Sequence, residues 1–248
     1  MNRKLLSQAV KLSMPVFFGY VSIGIPFGLL MVQSGYPFYL PLLMSLFMYT
    51  GSGQYFAIGL FAAGAKLPEI LIAEFLLSIR HTFYGISLFK KYRALGKWKP
   101  YLIYSITDET FAIISGLEVP EKENAGLFYT LISALDQFYW CLGTLIGSLL
   151  CSVLLKYNLA DCLQGLDFAL TAMFTVLFIE NVRSSKNYLA SAAGLAVTLL
   201  VVLFYRLGFF SSSNIIWSAI CLGLGVMMIF KGPSFFKSEK QNKIPEEK

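Results

Sequence analysis

The sequence predicts an all-α polytopic membrane protein of about six full transmembrane helices plus two broken, re-entrant segments, arranged as an inverted repeat. Three observations lead there. Hydrophobic residues make up 56% of the 248-residue chain and charged residues 14%, with a mean hydropathy of +0.65, a balance that no soluble core requires. Apolar stretches long enough to cross about 30 Å of hydrocarbon recur from Met14 to Phe230. Basic residues concentrate in the N-terminal tail, in Lys90 to Lys99 and in the C-terminal tail, so the net charge of +6 reads as a topology signal rather than a nucleic-acid patch.

The apolar segments fall near 14–33, 38–63, 67–89, 100–117, 125–155, 163–180, 188–206 and 213–230. The first carries Pro15 and Pro26 and lacks a small-residue cleavage site, so it is kept in the mature protein. With Arg3, Lys4 and Lys11 inside, three simple crossings would strand Lys90, Lys91, Arg93, Lys97 and Lys99 outside. Segment 38–63 resolves this: Tyr49-Thr50-Gly51-Ser52-Gly53-Gln54 breaks its apolar run, so it enters and leaves on one side. Segment 67–89 then returns inward and 100–117 crosses outward, leaving Glu118, Glu121 and Glu123 outside. By the same bookkeeping 125–155 returns inward to Lys156, and 163–180 is re-entrant with its break at Gly165-Leu166-Asp167, keeping Arg183 and Lys186 inside. Segments 188–206 and 213–230 form an outward and return pair. The chain is thus read as one integral membrane domain, 1–248, with repeats 12–117 and 125–231, a cytoplasmic tail 232–248 and both termini cytoplasmic.

Cys141, Cys151, Cys162 and Cys221 are scattered through apolar segments without metal-ligand spacing, so neither a metal nor a disulfide is expected. The polar residues inside the segments are more telling, because each costs about 2.5–3.5 kcal/mol at a helix centre if it is Arg, Lys or Asp. In 67–89, Glu74, Ser78 and His81 share one face beside Arg80 and Tyr84. They read either as a packing network, Glu74 pairing with Arg80 or His81, or as a site in which Arg80 offers a fork for a carboxylate and His81 carries a proton. In 100–117, Asp108 and Glu109 lie about 10–14 Å from the Pro100 end if the segment is one helix, and read as a proton or cation site, or as a partner for Arg80. Ser52, Gln54 and Asp167 sit at the breaks, where freed backbone groups can line a polar cavity. Phe56, Phe83 and Phe111 are candidate pocket walls. Asp136, Tyr139, Gly143 and Gly147 share one face of 125–155, read chiefly as packing, and Gly24-xxx-Gly28 has the same weak meaning.

Four motifs in order, Tyr49-Thr50-Gly51-Ser52-Gly53-Gln54, Arg80-His81-xx-Tyr84, Thr107-Asp108-Glu109-x-Phe111-Ala112 and Gly165-Leu166-Asp167-Phe168, resemble the AzlC family, the large subunits of branched-chain amino acid exporters. The resemblance spans nearly the whole chain and departs from the family where relatives often carry Asn and this chain carries Ser78. It implies export of leucine, isoleucine, valine and analogues across a bacterial inner membrane, with a small AzlD-like membrane subunit as partner. On these residues it implies Ser52, Gln54, Arg80, Tyr84 and Phe111 as substrate-binding, and His81, Asp108, Glu109 and Asp167 as proton-coupling or ammonium-binding. No ATP-binding motif is present, which favours secondary transport. The rival readings are a channel, a scaffold subunit for another small solute, and an intramembrane serine protease using Ser52 and His81, which lacks the first Gly of the nucleophile turn.

Overall fold

The computed structural model describes residues 3–93, 95–117, 125–163, 167–185 and 188–208, with isolated positions besides. Its described elements are helical throughout. Helix α1 (Arg3–Gln33) runs through both Pro15 and Pro26 and, at about 1.5 Å per residue, is about 46 Å long. It is followed by two short helices, α2 (Tyr39–Phe47) and α3 (Gly51–Ala62), then by α4 (Leu67–Tyr92), a 3-10 turn (Gly96–Trp98), a second pair of short helices, α5 (Lys99–Tyr104) and α6 (Asp108–Gly116), and the long α7 (Ala125–Lys156). A second 3-10 turn (Ala160–Leu163) leads to α8 (Asp167–Ser185) and α9 (Tyr188–Arg206). Among the described residues α1, α4 and α7 are long and apolar enough to cross a membrane, and Ser191–Arg206 is a shorter apolar helix. The chain divides into two compact units, Met1–Phe174 and Thr175–Lys248. The second holds the end of α8 and the whole of α9.

In the first unit α1 and α7 pack in parallel along interlocking glycines. A side chain at Gly24 would meet the backbone of Trp140, Gly143 and Thr144, and one at Gly28 would meet Thr144 and Ser148. Gly143 is packed against Val21, and Gly147 against Ile25. Ascending positions on one helix meet ascending positions on the other, so the helices run the same way, and the two small-xxx-small patterns are two halves of one seam.

The break expected near 49–54 is present: Tyr49 adopts a positive φ of 40°, Thr50 is extended and α3 starts at Gly51. Neither α2, at about 14 Å, nor α3, at about 18 Å, crosses alone. The segment folds back on itself, since Tyr36 before α2 lies 5.6 Å, ring centroid to centroid, from Phe61 at the end of α3.

Segment 100–117 departs from expectation. It is not a single crossing: it breaks at Ser105–Thr107, and Thr107 caps α6 by accepting from the Thr110 N–H at 3.2 Å, with Asp108 and Glu109 in the first turn, where the helix dipole favours carboxylates. The far end of α6 returns toward α4, where Lys91 Nζ donates to the carbonyls of Ile114, Ser115 and Leu117 at 2.7–2.8 Å. Leu117 and Ala125 pack around the same cluster as Leu5, Ala9 and Tyr92. Both sides of residues 118–124 therefore sit at the end of the bundle that carries the N-terminus, and α7 runs away from that end. The expected outward crossing of 100–117 and inward return of 125–155 are overturned.

With these corrections, a long helix followed by a broken hairpin occurs twice within 3–117, as α1 with α2 and α3, then as α4 with α5 and α6. The second runs opposite to the first, because α4 ends beside Ala9 near the start of α1. The second expected break, at Gly165-Leu166-Asp167, falls at the head of a helix instead of inside one: Gly165, with φ of +85°, precedes α8, and α8 is continuous over 19 residues. Segment 213–230 apart from isolated positions, the acidic loop 118–124, Lys186 and the tail 232–248 lie outside the described residues.

Candidate functional site

The tips of the two hairpins meet at Arg80. From near the middle of α4 its guanidinium donates from Nη2 to Ser52 Oγ at 2.7 Å, in the first turn of α3, and its Nη1 pairs with Asp108 Oδ2 at 2.6 Å, in the first turn of α6. The two side chains are 27% and 32% exposed, so the pair is reachable but largely desolvated. Among the described residues, Arg80 Nε and Asp108 Oδ1 have no hydrogen-bond partner. Two helix N-termini, each a positive dipole end with unused backbone N–H groups, thus converge on one cation and one carboxylate.

The other arms of the hairpins are tied together as well. The Leu46 carbonyl at the end of α2 accepts from Tyr104 Oη and, at 3.1 Å, from Gln137 Nε2, while Tyr101 Oη donates to Gln137 Oε1 at 2.8 Å. A carbonyl left free by the end of a helix is thereby satisfied.

Behind Ser52, Gln54 is fully buried and both ends of its amide are used. Trp140 Nε1 donates to Oε1 at 2.8 Å, Nε2 donates to Ser45 Oγ at 3.1 Å, and Ser45 shares a 2.9 Å hydrogen bond with Thr144. Gln54 therefore fastens α2, α3 and α7 around the first break. Glu74 does not pair with Arg80 or His81. Its carboxylate lies against Gly53, where a side chain would sit 2.5 Å from Oε2, and among the described residues neither of its oxygens has a hydrogen-bond partner.

Around Asp108 and Glu109 the polar chain extends inward. Tyr20 Oη stands 2.7 Å from both Glu109 Oε2 and Thr107 Oγ1, Thr107 Oγ1 stands 3.0 Å from Thr110 Oγ1, and Thr110 donates to Asp136 Oδ2 at 2.8 Å. On the opposite flank Tyr84 faces Asp108 and stacks on Phe111, with centroids 4.5 Å apart and planes 17° apart. His81 meets Tyr84 edge-on at 5.9 Å. Phe56 packs edge-on to Phe174, and Phe83 points outward at 58% exposure.

Ser52, Arg80, His81, Tyr84, Asp108, Glu109 and Phe111 are thus gathered into one neighbourhood, with Gln54 behind it. Asp167 starts α8, but its side chain lies outside the described residues. Ser52 is held by Arg80 rather than by His81, the partner that serine chemistry would need. Tyr20, Thr107, Thr110 and Asp136 were not singled out as site residues. Of these, Thr107 left a readable trace, since Thr-Asp-Glu is the signature of a helix start.

Residues 15–154 match the family described as AzlC protein. The chain is 33% identical over 227 residues to the "Branched-chain amino acid transport protein AzlC" of Bacillus subtilis strain 168, covering 91% of this chain and 85% of that one. It is 35% identical over 209 residues to an "Uncharacterized membrane protein" of Helicobacter pylori strain J99, covering 84% and 89%, and 34% identical over 192 residues to one of Haemophilus influenzae, covering 77% of each. No solved structure matches.

Proposed function

Since the chain belongs to the AzlC family of membrane transport proteins, we propose that it is a secondary transporter exporting leucine, isoleucine, valine and analogues across the bacterial inner membrane, driven by the proton-motive force, with a small AzlD-like membrane subunit as partner and its termini in the cytoplasm. The observation that carries this is the Arg80–Asp108 pair between two half-helix N-termini. An α-amino acid is itself a zwitterion, so it can enter such a pair without changing the buried charge. Its carboxylate replaces Asp108 on the Arg80 fork and takes N–H groups of the first turn of α3 beside Ser52. Its ammonium takes Asp108, with Glu109 near. The stacked Tyr84 and Phe111 offer an apolar wall to a branched aliphatic side chain. Gln54 acts from behind by holding the break, while His81 and Asp167 are proposed for proton coupling.

The test is efflux of labelled isoleucine from preloaded cells lacking other exporters, comparing this chain plus its small partner with the same pair carrying Asp108→Asn, and with an ionophore control. Accelerated efflux that the variant loses at normal membrane abundance supports the assignment. Absence of acceleration by the abundant intact pair overturns export of these substrates.

A further inference from the structure

Four oxygen–oxygen contacts link Glu109 to Asp136 through Tyr20, Thr107 and Thr110, at 2.7, 2.7, 3.0 and 2.8 Å. Each contact of this length needs one hydrogen on it. The three hydroxyls supply three, because Tyr and Thr carry one apiece. The fourth must come from one of the two carboxyl groups. With Glu109 protonated, every hydrogen points toward Asp136: Glu109 donates to Tyr20, Tyr20 to Thr107, Thr107 to Thr110, and Thr110 to an Asp136 carboxylate. With Asp136 protonated, the same chain runs the other way and Glu109 is the carboxylate. Thr107 Oγ1 also accepts from the Thr110 N–H, and its two lone pairs accommodate this in both alignments.

We propose that Glu109 and Asp136 hold a single proton between them and pass it along the Tyr20–Thr107–Thr110 hydroxyl chain. In one transfer Glu109 loses a proton to Tyr20, each hydroxyl releases its own hydrogen forward as it receives one, and Asp136 gains a proton. No atom or electron is left over, and the hydroxyls end reversed but intact. The two ends differ in access: Glu109 is an exposed residue on the described chain, whereas Asp136 is fully buried on α7 and its Oδ1 has no hydrogen-bond partner among the described residues. The pair therefore connects the carboxyl of an exposed residue beside the Arg80–Asp108 site to one that is fully buried on α7. The ionisable groups facing Glu109 are Asp108, Arg80, Tyr20, Tyr49 and Tyr84, and those facing Asp136 are Tyr49, Tyr101 and Glu109. Arg80 is the one cation among them, and it lies at the Glu109 end, so opening its pair with Asp108 rearranges the charges that Glu109 faces without altering their sum. That is a physical link between substrate entry and the position of the proton. This use of the proton rests on the transport reading above, but its sharing does not.

The test is infrared spectroscopy of the purified full chain at neutral pH, with isotope exchange to identify protonated carboxyl C=O stretches. The measurement is made in a Glu74→Gln background, which removes another buried carboxyl lacking partners. One shared proton predicts a band worth one carboxyl, lost in Glu109→Gln and equally lost in Asp136→Asn, because an amide N–H supplies the fourth hydrogen from either end. Each variant is near-isosteric, and Thr110→Ser, which keeps the hydroxyl, must keep the band. If each amide variant removes a different half of a two-carboxyl band, or if the parent has none, the shared proton is overturned. In proteoliposomes with an imposed pH gradient, Thr110→Val is expected to lose at least tenfold of the gradient-driven acceleration of isoleucine flux while Thr110→Ser retains it. Gradient-driven flux that survives in Thr110→Val overturns transfer along this chain. If the intact pair moves no isoleucine while the band behaves as stated, the transport reading fails and the shared proton stands.

Discussion

Gln54 is a place where a single side chain holds a broken membrane segment together, and its worth can be estimated. Gln54→Leu keeps the bulk and removes the amide. Ser45 retains Thr144 as partner, so the group left without one is the buried Trp140 N–H. An orphaned buried donor costs about 1–3 kcal/mol. Trp140→Phe strands the opposite atom, Gln54 Oε1, at a similar cost of about 1–3 kcal/mol plus lost packing. The double variant strands neither, so it should recover at least about 1 kcal/mol relative to the sum of the singles. With an unfolding entropy of about 2.1 cal/mol/K per residue over the chain, a loss of about 1–3 kcal/mol lowers Tm by about 2–6 °C. Thermal unfolding in detergent, followed with a thiol-reactive dye whose targets include the buried Cys151, reads these shifts. Because Gln54 positions the turn that carries Ser52, Gln54→Leu should also slow isoleucine flux below its melting temperature. A double variant whose loss equals the sum of the singles would refute the claim that the amide and the indole act as one contact.

Three further outcomes are expected. Arg80→Lys, which keeps the charge but not the fork, cannot hold Ser52 and Asp108 together and should reduce isoleucine flux at least tenfold at unchanged abundance, a loss of at least about 1.4 kcal/mol; unchanged flux would remove Arg80 from the site. Gly147→Ala and Gly28→Ala place a methyl group against backbone across the α1–α7 seam and should each destabilise by about 1–3 kcal/mol in the same thermal assay, whereas Gly19→Ala, with open space around it, should not. Phe111→Ala opens the wall formed with Tyr84 and should shift preference toward bulkier aliphatic substrates by about tenfold or more in competition flux, since a pocket methylene is worth about 1–3 kcal/mol.

Much of the site was legible because the cost of polarity in hydrocarbon is paid residue by residue. Arg80, Asp108, Glu109, Ser52 and Gln54 announce themselves against an apolar background whatever they touch. The break at Tyr49–Thr50 was legible for a similar reason, since Gly51-Ser52-Gly53 weakens the helix locally. Charge parity was weaker evidence, because it counts ends without seeing the path between them. Segment 100–117 has the same hydropathy whether it crosses or turns at Thr107, and parity assigned the second re-entrant segment to 163–180.

By itself, then, the sequence determined the membrane class, the helical build, the first break and most of the groups that the site contains, because these depend on local composition and on solvation of single residues. Tertiary structure decided which way the segments run and which groups meet. The return of α6 rests on Lys91 capping carbonyls 23–26 residues away, and the parallel course of α7 rests on glycines meeting across more than a hundred residues. Asp136 read as one polar residue on a packing face until Thr110, 26 positions earlier, was brought to 2.8 Å from it. A hydrogen bond between distant segments fixes two side chains in three dimensions, and no local property of either segment encodes the other's position.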